Sequence, residues 1–270
     1  MHNPDLESTR EFWDANPCDG QPSLSQRLEF KYQKETWMVD YFEAISKFKN
    51  ILEVGCGQGT DAISICRKMQ PGGRYTGIDY SPQSVESALV SIEEAGDSLQ
   101  VRPDLSVGNA EDLRFADDSF DCVTSIGVLH HTPGTQAAID EVYRVLEPGG
   151  TVFIALYRLF SPKVLGAYAL RALVRVVDAI VFQKGFVLKR VRSFGSDHAL
   201  GTMILEGIGV PILKSYTRAE IKHMFSNFES VQIEAKGAGI PGADKVNQLF
   251  DRLPFNPFGY FWYIVAKKPL

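Results

Sequence analysis

The chain has 270 residues, of which 44% are hydrophobic, and a net charge of −5. This length and composition suit one large α/β domain, or one such domain with an inserted lid. The acidic balance argues against a dedicated nucleic-acid binder, although a local basic patch is compatible with it. The cysteines form no C-x-x-C pair, which argues against a zinc site or a disulfide framework. Together with a first segment that has no basic and apolar signal pattern, this predicts a cytoplasmic protein. The cysteines are Cys18, Cys56, Cys66 and Cys122.

Residues 1–50 precede the first predicted strand and are rich in aromatic side chains. Apolar residues recur there at near-helical spacing from Leu28 to Phe48. We therefore predict an N-terminal helical segment, whose aromatic side chains cap the edge of the sheet or cover a ligand site.

Residues 51–60 read I-L-E-V-G-C-G-Q-G-T, and the rest of the chain is organised around them. The apolar run 51–54 predicts a strand buried on both faces of a parallel sheet. Glycines follow at alternate positions, where a backbone without Cβ atoms can turn sharply and approach a ligand. Thr60 and Asp61 can cap the next helix. The stretch therefore predicts a ligand cradle at the carboxyl end of a strand.

The spacing of these glycines indicates which ligand is bound. It differs from the dinucleotide fingerprint G-x-G-x-x-G, and Glu53 stands two residues before the loop. A carboxylate there repels a pyrophosphate but attracts an ammonium group. The pattern resembles the first motif of class I S-adenosylmethionine (SAM)-dependent methyltransferases, E/D-x-G-x-G-x-G, in which the loop lies against the methionyl part of SAM. A Rossmann turn without a ligand is the alternative.

Asp79 ends the second predicted strand, Arg74–Asp79. A carboxylate at that position can accept hydrogen bonds from both ribose hydroxyls of a nucleoside. Asp79 therefore supports a nucleoside ligand, but it fits SAM and NAD equally.

Residues 108–115, G-N-A-E-D-L-R-F, resemble the family's G-D-A-x-x-L-P-F, whose acidic side chain contacts the adenine amino group. Asn109 replaces that aspartate, and its amide oxygen can still accept from an amine. Arg114 replaces the proline. Glu111 and Asp112 are equally compatible with a solvated turn. The resemblance implies a cofactor-binding set of Glu53, Gly55, Gly57, Gly59, Asp79, Asn109, Ala110 and Ile126.

The predicted strand Phe120–Ile126 leads into His130 and His131. The sequence F-D-C-V-T-S-I-G-V-L-H-H also resembles class I methyltransferases that act on small molecules, and the N/D-P-P-Y motif of base-amine and glutamine methylation does not follow this strand. A histidine at a strand end can deprotonate a hydroxyl or amine acceptor near neutral pH. The alternative is that one histidine packs and the other bonds to the backbone.

The predicted helix Gln136–Leu146 and strand Thr151–Tyr157 complete the stretch 51–157 over which the resemblance is dense. Residues 158–214 then form an insertion with helical, amphipathic spacing. Eight Lys and Arg against one Asp make its part 158–192 basic. It is a helical cap with charges in water, a lid over a bulky apolar or anionic acceptor, or a membrane-surface contact. Residues 215–270 supply a helix that is capped at Thr217 and ends near Phe228, and two last strands that complete the core. The resemblance implies that these two strands form an antiparallel pair, and the segment Lys236–Phe258 between them is expected to be a loop at the rim of the acceptor site.

The sequence therefore predicts a Rossmann-like class I methyltransferase fold: a seven-stranded, mostly parallel sheet with helices on both faces and a helical lid insertion. The implied activity is methyl transfer from SAM, with S-adenosylhomocysteine (SAH) as product, to a small-molecule acceptor and without a metal. Trp13 and Tyr32 are candidate lid residues, since the N-terminal segment often covers the SAM pocket in this family. The alternatives are a nicotinamide dehydrogenase, an RNA methyltransferase using residues 158–192, and a non-catalytic SAM-binding or membrane-surface protein.

Overall fold

The computed structural model describes residues 6–17, 23–180, 209–237, 243–253 and 255–270, without the side chains of residues 32–34 and 244. Cys18, the side chain of Tyr32 and the portion 181–208 of the insertion lie outside the described part. Helices and strands are numbered over the described residues.

Seven strands form one sheet in the order β3-β2-β1-β4-β5-β7-β6. β1 to β5 pair in parallel, and β7 runs antiparallel to both β5 and β6. This confirms the predicted sheet and its terminal antiparallel pair. The strands are β1 (Asn50–Val54), β2 (Arg74–Asp79), β3 (Asp104–Val107), β4 (Phe120–Ile126), β5 (Leu146–Tyr157), β6 (Glu229–Lys236) and β7 (Phe261–Lys267).

Helices cover both faces of the sheet, and each face has its own cluster of buried apolar side chains. The helices are α1 (Leu6–Ala15), α2 (Leu24–Lys34), α3 (Met38–Ile45), α4 (Thr60–Cys66), α5 (Pro82–Ala95), α6 (Thr135–Val145), α7 (Pro162–Ile180), α8 (Arg218–Met224) and α9 (Asp244–Asp251). The strand order reverses between β1 and β4, so the crevice outside their carboxyl ends is the place where such a sheet binds ligands.

The N-terminal segment is helical, and the apolar spacing over Leu28–Phe48 is divided between two helices, α2 and α3, with a break at residues 35–37. Glu35 leaves the helical conformation at φ −116° and ψ 67°. Its buried carboxylate accepts hydrogen bonds from Trp37 Nε1 at 2.8 Å and from the Tyr260 hydroxyl. These bonds stabilise the break because they hold the connecting residues against Tyr260, directly before the start of β7.

Two expectations in the C-terminal part are corrected. The helix after Thr217 has the predicted capping box but ends at Met224 and does not reach Phe228. Phe225 and Phe228 turn inward instead and are buried in the core. The stretch 236–258, expected as a loop, contains α9. Asp251 at the end of α9 accepts hydrogen bonds from Gly237 N and Asn256 Nδ2, which draws the stretch together.

The insertion begins with α7, the amphipathic helix that its spacing predicts. On one face, Val164 is buried and Arg171 Nη2 donates to the carbonyl of Val210 at 2.7 Å. The other face is exposed and apolar, with Leu165, Leu173, Val176 and Ile180. None of the described helices is long and apolar enough to cross a membrane. Contact with a membrane surface stays a prediction.

Candidate cofactor and acceptor site

The glycine loop joins the end of β1 to the start of α4. Gly55 N and Cys56 N donate to the carbonyl of Ile78 at 2.7 and 2.9 Å, which ties the loop to β2. Gly55 has φ +88°, and a Cβ there would lie 2.3 Å from Val128 Cγ2. Gly57 has φ +49°, and a Cβ there would meet no atom within 4 Å. Gly55 therefore allows close packing, whereas Gly57 faces open space.

A cavity of about 210 Å³ adjoins this loop. It lies at the carboxyl edge of the sheet, under α1 and α2, as the strand order predicts. Most of the predicted residues meet in its wall. These are Trp13, Glu53, Gly55, Gly57, Asp79, Asn109, Ala110, Ile126 and His131. Gly59 and His130 lie behind the wall: Gly59 caps α4 and packs on Ala88, and His130 packs on Tyr157.

Two carboxylates near the strand ends line the wall, Glu53 buried and Asp79 half-buried. Glu53 accepts a hydrogen bond from the Tyr75 hydroxyl at 2.7 Å. Burial, followed by repulsion from Asp61, raises the pKa of Glu53 to about 8. Asp79 accepts from Gly57 N and Ser81 N, both at 2.9 Å. Burial raises the pKa of Asp79 as well, against the opposing effect of those two hydrogen bonds.

A third carboxylate, Asp61, stands in the first turn of α4 and also lines the cavity. Lys31 from α2 lies 2.6 Å from Asp61 Oδ1. Near them the Thr60 hydroxyl is buried and has no hydrogen-bond partner among the described residues. Three carboxyl groups, Glu53, Asp61 and Asp79, thus lie beside the glycine loop, where Lys31 pairs with Asp61 and Arg10 of α1 also lines the cavity. A ligand that brings positive charge can interact with these carboxyl groups.

The loop after β3 is held by bonds that the sequence does not reveal. The Asn109 side-chain oxygen accepts from Glu111 N at 3.0 Å, and Glu111 accepts from Gly134 N at 2.8 Å. Glu111 is therefore a structural link, whereas Asp112 is solvated. Arg144 of α6 donates to the carbonyls of Leu113 and Phe115 at 2.7 and 2.9 Å. Arg144 thereby holds the loop in which Arg114 replaces the family's proline.

The two histidines stand in a 3₁₀ turn after β4 and differ in environment. His131 Nδ1 lies 2.7 Å from the carbonyl of Ile212, so Nδ1 carries the hydrogen and Nε2 carries the lone pair. The side chain of His131 borders the cavity, edge-on to Trp13.

His130 is completely buried. Neither of its ring nitrogens has a hydrogen-bond partner among the described residues. Its ring centre lies 3.8 Å from that of Tyr157. Burial, and then the charges of His131 and Lys163, lower the pKa of His130 well below its ordinary value. His130 is therefore a neutral side chain at neutral pH.

Several cavity residues have no signal in the sequence. Lys31, Phe30 and Glu35 arrive from α2 and its end, Lys163 from α7, and Tyr260 and Phe261 from the start of β7. Tyr157, at the carboxyl end of β5, stands where the strand pattern could have found it, as do Val54 and Ile78 near the ends of β1 and β2. Among the described residues, no group of three His, Cys, Asp or Glu side chains is placed to hold a metal ion.

Comparison with known proteins places this site in a family. Residues 52–154 match the model of the methyltransferase domain. A demethylmenaquinone methyltransferase of Listeria welshimeri is 35% identical over 127 residues, which are 47% of this chain and 51% of that protein. An O-methyltransferase of Aspergillus sclerotiorum is 34% identical over 134 residues, 50% of this chain and 49% of that protein. The chain thus spans about half the length of the curated relatives it matches.

A solved structure extends the likeness of fold to nearly the whole chain. Phosphoethanolamine N-methyltransferase 2 of Haemonchus contortus, in complex with SAM, has a TM-score of 0.58 at 16% identity, covering 97% of this chain and 60% of that one. Residues 52–154 therefore match a methyltransferase domain within a class I methyltransferase fold, and SAM is the cofactor of that family. The predicted family, fold and cofactor are confirmed.

The cavity residues fit this cofactor. SAM brings an ammonium and a sulfonium, and the carboxyl groups beside the glycine loop favour such charge. The buried hydroxyl of Thr60 offers a donor and an acceptor to a polar ligand. The open side of Gly57 leaves room for a group lying against the loop.

We expect alanine at the two glycines to have different effects. Gly55→Ala forces a Cβ into Val128 in a left-handed backbone conformation, so it should lower the free energy of unfolding by roughly 1–3 kcal/mol or more. Gly57→Ala should cost the fold only about 1 kcal/mol but weaken binding of SAH, because its Cβ points into open space at the cavity. Urea denaturation and calorimetry with SAH measure both effects. Equal loss of stability in the two variants would contradict this distinction.

Proposed function

We propose that the chain transfers a methyl group from SAM to a small-molecule acceptor whose nucleophilic atom first loses a proton. The observation that carries the proposal is that His131, with its Nδ1–H held by the Ile212 carbonyl, borders the same cavity as the acidic glycine loop. A proton acceptor and a site for a cationic cofactor thus share one enclosed space. The relatives' names support the acceptor class, since they include a quinone methyltransferase and an O-methyltransferase.

We assign the cofactor end of the cavity to the strand-end residues. Glu53 binds the ammonium group of SAM, and Asp79 accepts from the ribose hydroxyls. Each carboxylate oxygen has two lone pairs, so the bonds from Gly57 N and Ser81 N leave Asp79 capacity for this. Asn109 and Ala110 border the adenine, through side chain and backbone. When bound, SAM supplies an electrophilic methyl group, and the chain's own residues position the acceptor and exclude water.

The acceptor end is apolar and aromatic. Tyr157 and Phe261 stack there, with ring centres 5.3 Å apart, and Trp13 lies across the cavity mouth on α1. Trp13 thereby serves as the lid side chain that the sequence suggests. We infer that His131 Nε2 takes the proton from the acceptor, as a general base whose other nitrogen is fixed by a carbonyl. The neutral His130 supports the Tyr157 ring from behind.

The test of this function is transfer of a labelled methyl group. The protein is incubated with methyl-labelled SAM and a panel of phenols, hydroquinones, amines and thiols, and separately with total RNA. We expect label in one of the small molecules and formation of SAH. Label in RNA alone, or SAH binding without transfer to any acceptor, would overturn the proposal in favour of an RNA methyltransferase or a non-catalytic binder.

Replacement of the two histidines should separate their roles. On a hydroxyl acceptor, His131→Ala removes the general base and should lower kcat by roughly 10²–10⁴-fold, with SAH affinity unchanged. His130→Phe keeps an aromatic ring beneath Tyr157 and should leave the pH dependence of kcat as in the wild type. The measurement is a pH–rate profile of all three proteins. If His131→Ala retains the wild-type rate, positioning alone drives the reaction.

The buried Glu53 should make cofactor binding depend on pH. Its folded pKa of about 8 is above the ordinary value of about 4.3, so its contribution to the stability of the ligand-free fold is complete below the ordinary value and is lost as pH rises through about 8. An ammonium ligand favours the ionised carboxylate. SAH affinity should therefore increase with pH below about 8, by up to about tenfold per unit, with release of a proton.

Glu53→Gln is the matched control, because it preserves shape but cannot ionise. Its SAH affinity should vary less with pH than that of the wild type, and calorimetry in buffers of different ionisation enthalpy should show the released proton disappear. A wild type that binds SAH without releasing a proton between about pH 6.5 and 7.5 would exclude this role of Glu53.

A further inference from the structure

The insertion supplies a charged side chain to the cavity. Lys163 stands in the first turn of α7 and lines the wall at the acceptor end. Its Nζ lies 3.6 Å from the centre of the Tyr260 ring and 6.0 Å from that of Tyr157. The electron-rich faces of aromatic rings stabilise an ammonium, so Lys163 can keep its positive charge in a partly apolar setting.

Lys163 and His131 border the same aromatic side chain. The centre of the Tyr157 ring lies 5.7 Å from the centre of the His131 ring and 6.0 Å from Lys163 Nζ. The positive charge of Lys163 also contributes to lowering the pKa of the neighbouring His130. A small molecule lying against Tyr157 can therefore reach both an imidazole base and an ammonium.

Aromatic rings form the cavity wall around Tyr157. Tyr157 and Phe261 stack with an angle of 25° between their planes, and Tyr260 lies 4.4 Å from Phe261 between ring centres. Trp13 and Phe30 line the same cavity from α1 and α2. Rings so arranged favour a planar aromatic ligand, which gains from both burial and ring contacts.

Glu35, the acidic side chain at the acceptor end of the cavity, is hydrogen-bonded to other side chains of the protein. The two oxygens of Glu35 accept separately, one from Trp37 Nε1 at 2.8 Å and the other from the Tyr260 hydroxyl. Glu35 thereby orients the Tyr260 ring on which Lys163 lies. At the cofactor end Lys31 lies against Asp61, whereas at the acceptor end the oxygens of Glu35 are bonded to Trp37 and Tyr260 and the ammonium of Lys163 lies on an aromatic ring.

We propose that Lys163 forms a binding subsite for an acidic oxygen of a planar aromatic acceptor, of the phenol or hydroquinone class. The inference deepens the proposed function and rests on it for the identity of the acceptor. The O–H proton passes to His131 Nε2, the electron pair of that bond stays on the oxygen, and the Lys163 ammonium stabilises the charge. The resulting oxygen would then attack the methyl carbon that SAM supplies, and the electrons of the broken carbon–sulfur bond would leave on the sulfur.

The test is binding, measured on the full chain saturated with SAH. The probes are 2-naphthoate, a planar anion, and 2-naphthamide, its neutral counterpart of equal shape. We expect the wild type to bind the anion about tenfold more tightly than the amide. Lys163→Met should lose that preference while still binding the amide, and Lys163→Arg should retain it. Lys222→Met, an exposed lysine on α8, is the matched control and should behave as wild type.

Thermal unfolding and SAH affinity establish that each variant is folded. Equal binding of both probes to the wild type, binding of neither, or an unchanged preference in Lys163→Met would overturn the subsite. The proposed function fails separately: a Lys163-dependent preference without methyl transfer to any acceptor upholds the subsite and refutes the enzyme. Methyl transfer to an acceptor without a Lys163-dependent preference for the anion upholds the enzyme and refutes the subsite.

Discussion

Burial of negative charge at one edge of the sheet is the constraint on which this site depends. A carboxylate stands near the end of β1, at the end of β2 and in the first turn of α4, and these are Glu53, Asp79 and Asp61. Glu53 and Asp61 are buried and Asp79 is half-buried, and desolvation raises the pKa of Glu53 and of Asp79. Tyr75, two backbone N–H groups and Lys31 offset part of the desolvation cost inside the protein. We propose that a cationic ligand, such as SAM, offsets more of it.

The glycine loop makes this arrangement possible by letting the backbone pass between packed elements. Gly55 is pressed against Val128, the residue that leads from β4 toward the histidines. The glycine loop and the 3₁₀ turn with His131 are therefore packed directly against each other. This contact brings the part of the cavity beside the glycine loop next to the part beside His131. Catalysis by positioning requires the two reacting groups to be held close together.

The segments outside the sheet complete the wall of the cavity. α1 and α2 bring Trp13 and Lys31 to the wall near the glycine loop, while α7 brings Lys163 to the part near Tyr157 and Tyr260. Glu35 connects the N-terminal helices to Tyr260 at the start of β7. Parts that are distant in the chain thus meet around the acceptor. The exposed apolar face of α7 lies on the far side of the same helix that supplies Lys163.

The sequence by itself determined the sheet, its strand-end residues and the class of cofactor. Buried parallel strands and alternating glycines are local patterns, because periodicity and φ restrictions act within a few residues. The sequence patterns therefore suffice to predict that Glu53, Asp79 and His131 lie at the carboxyl edge of the sheet. Only the tertiary structure decided which histidine borders the cavity, since His130 and His131 are chemically alike and differ only in what packs on them. It also decided the break at Glu35, the bonds of Arg144 and the position of Lys163, because each depends on a partner far away in the chain, which no local pattern encodes.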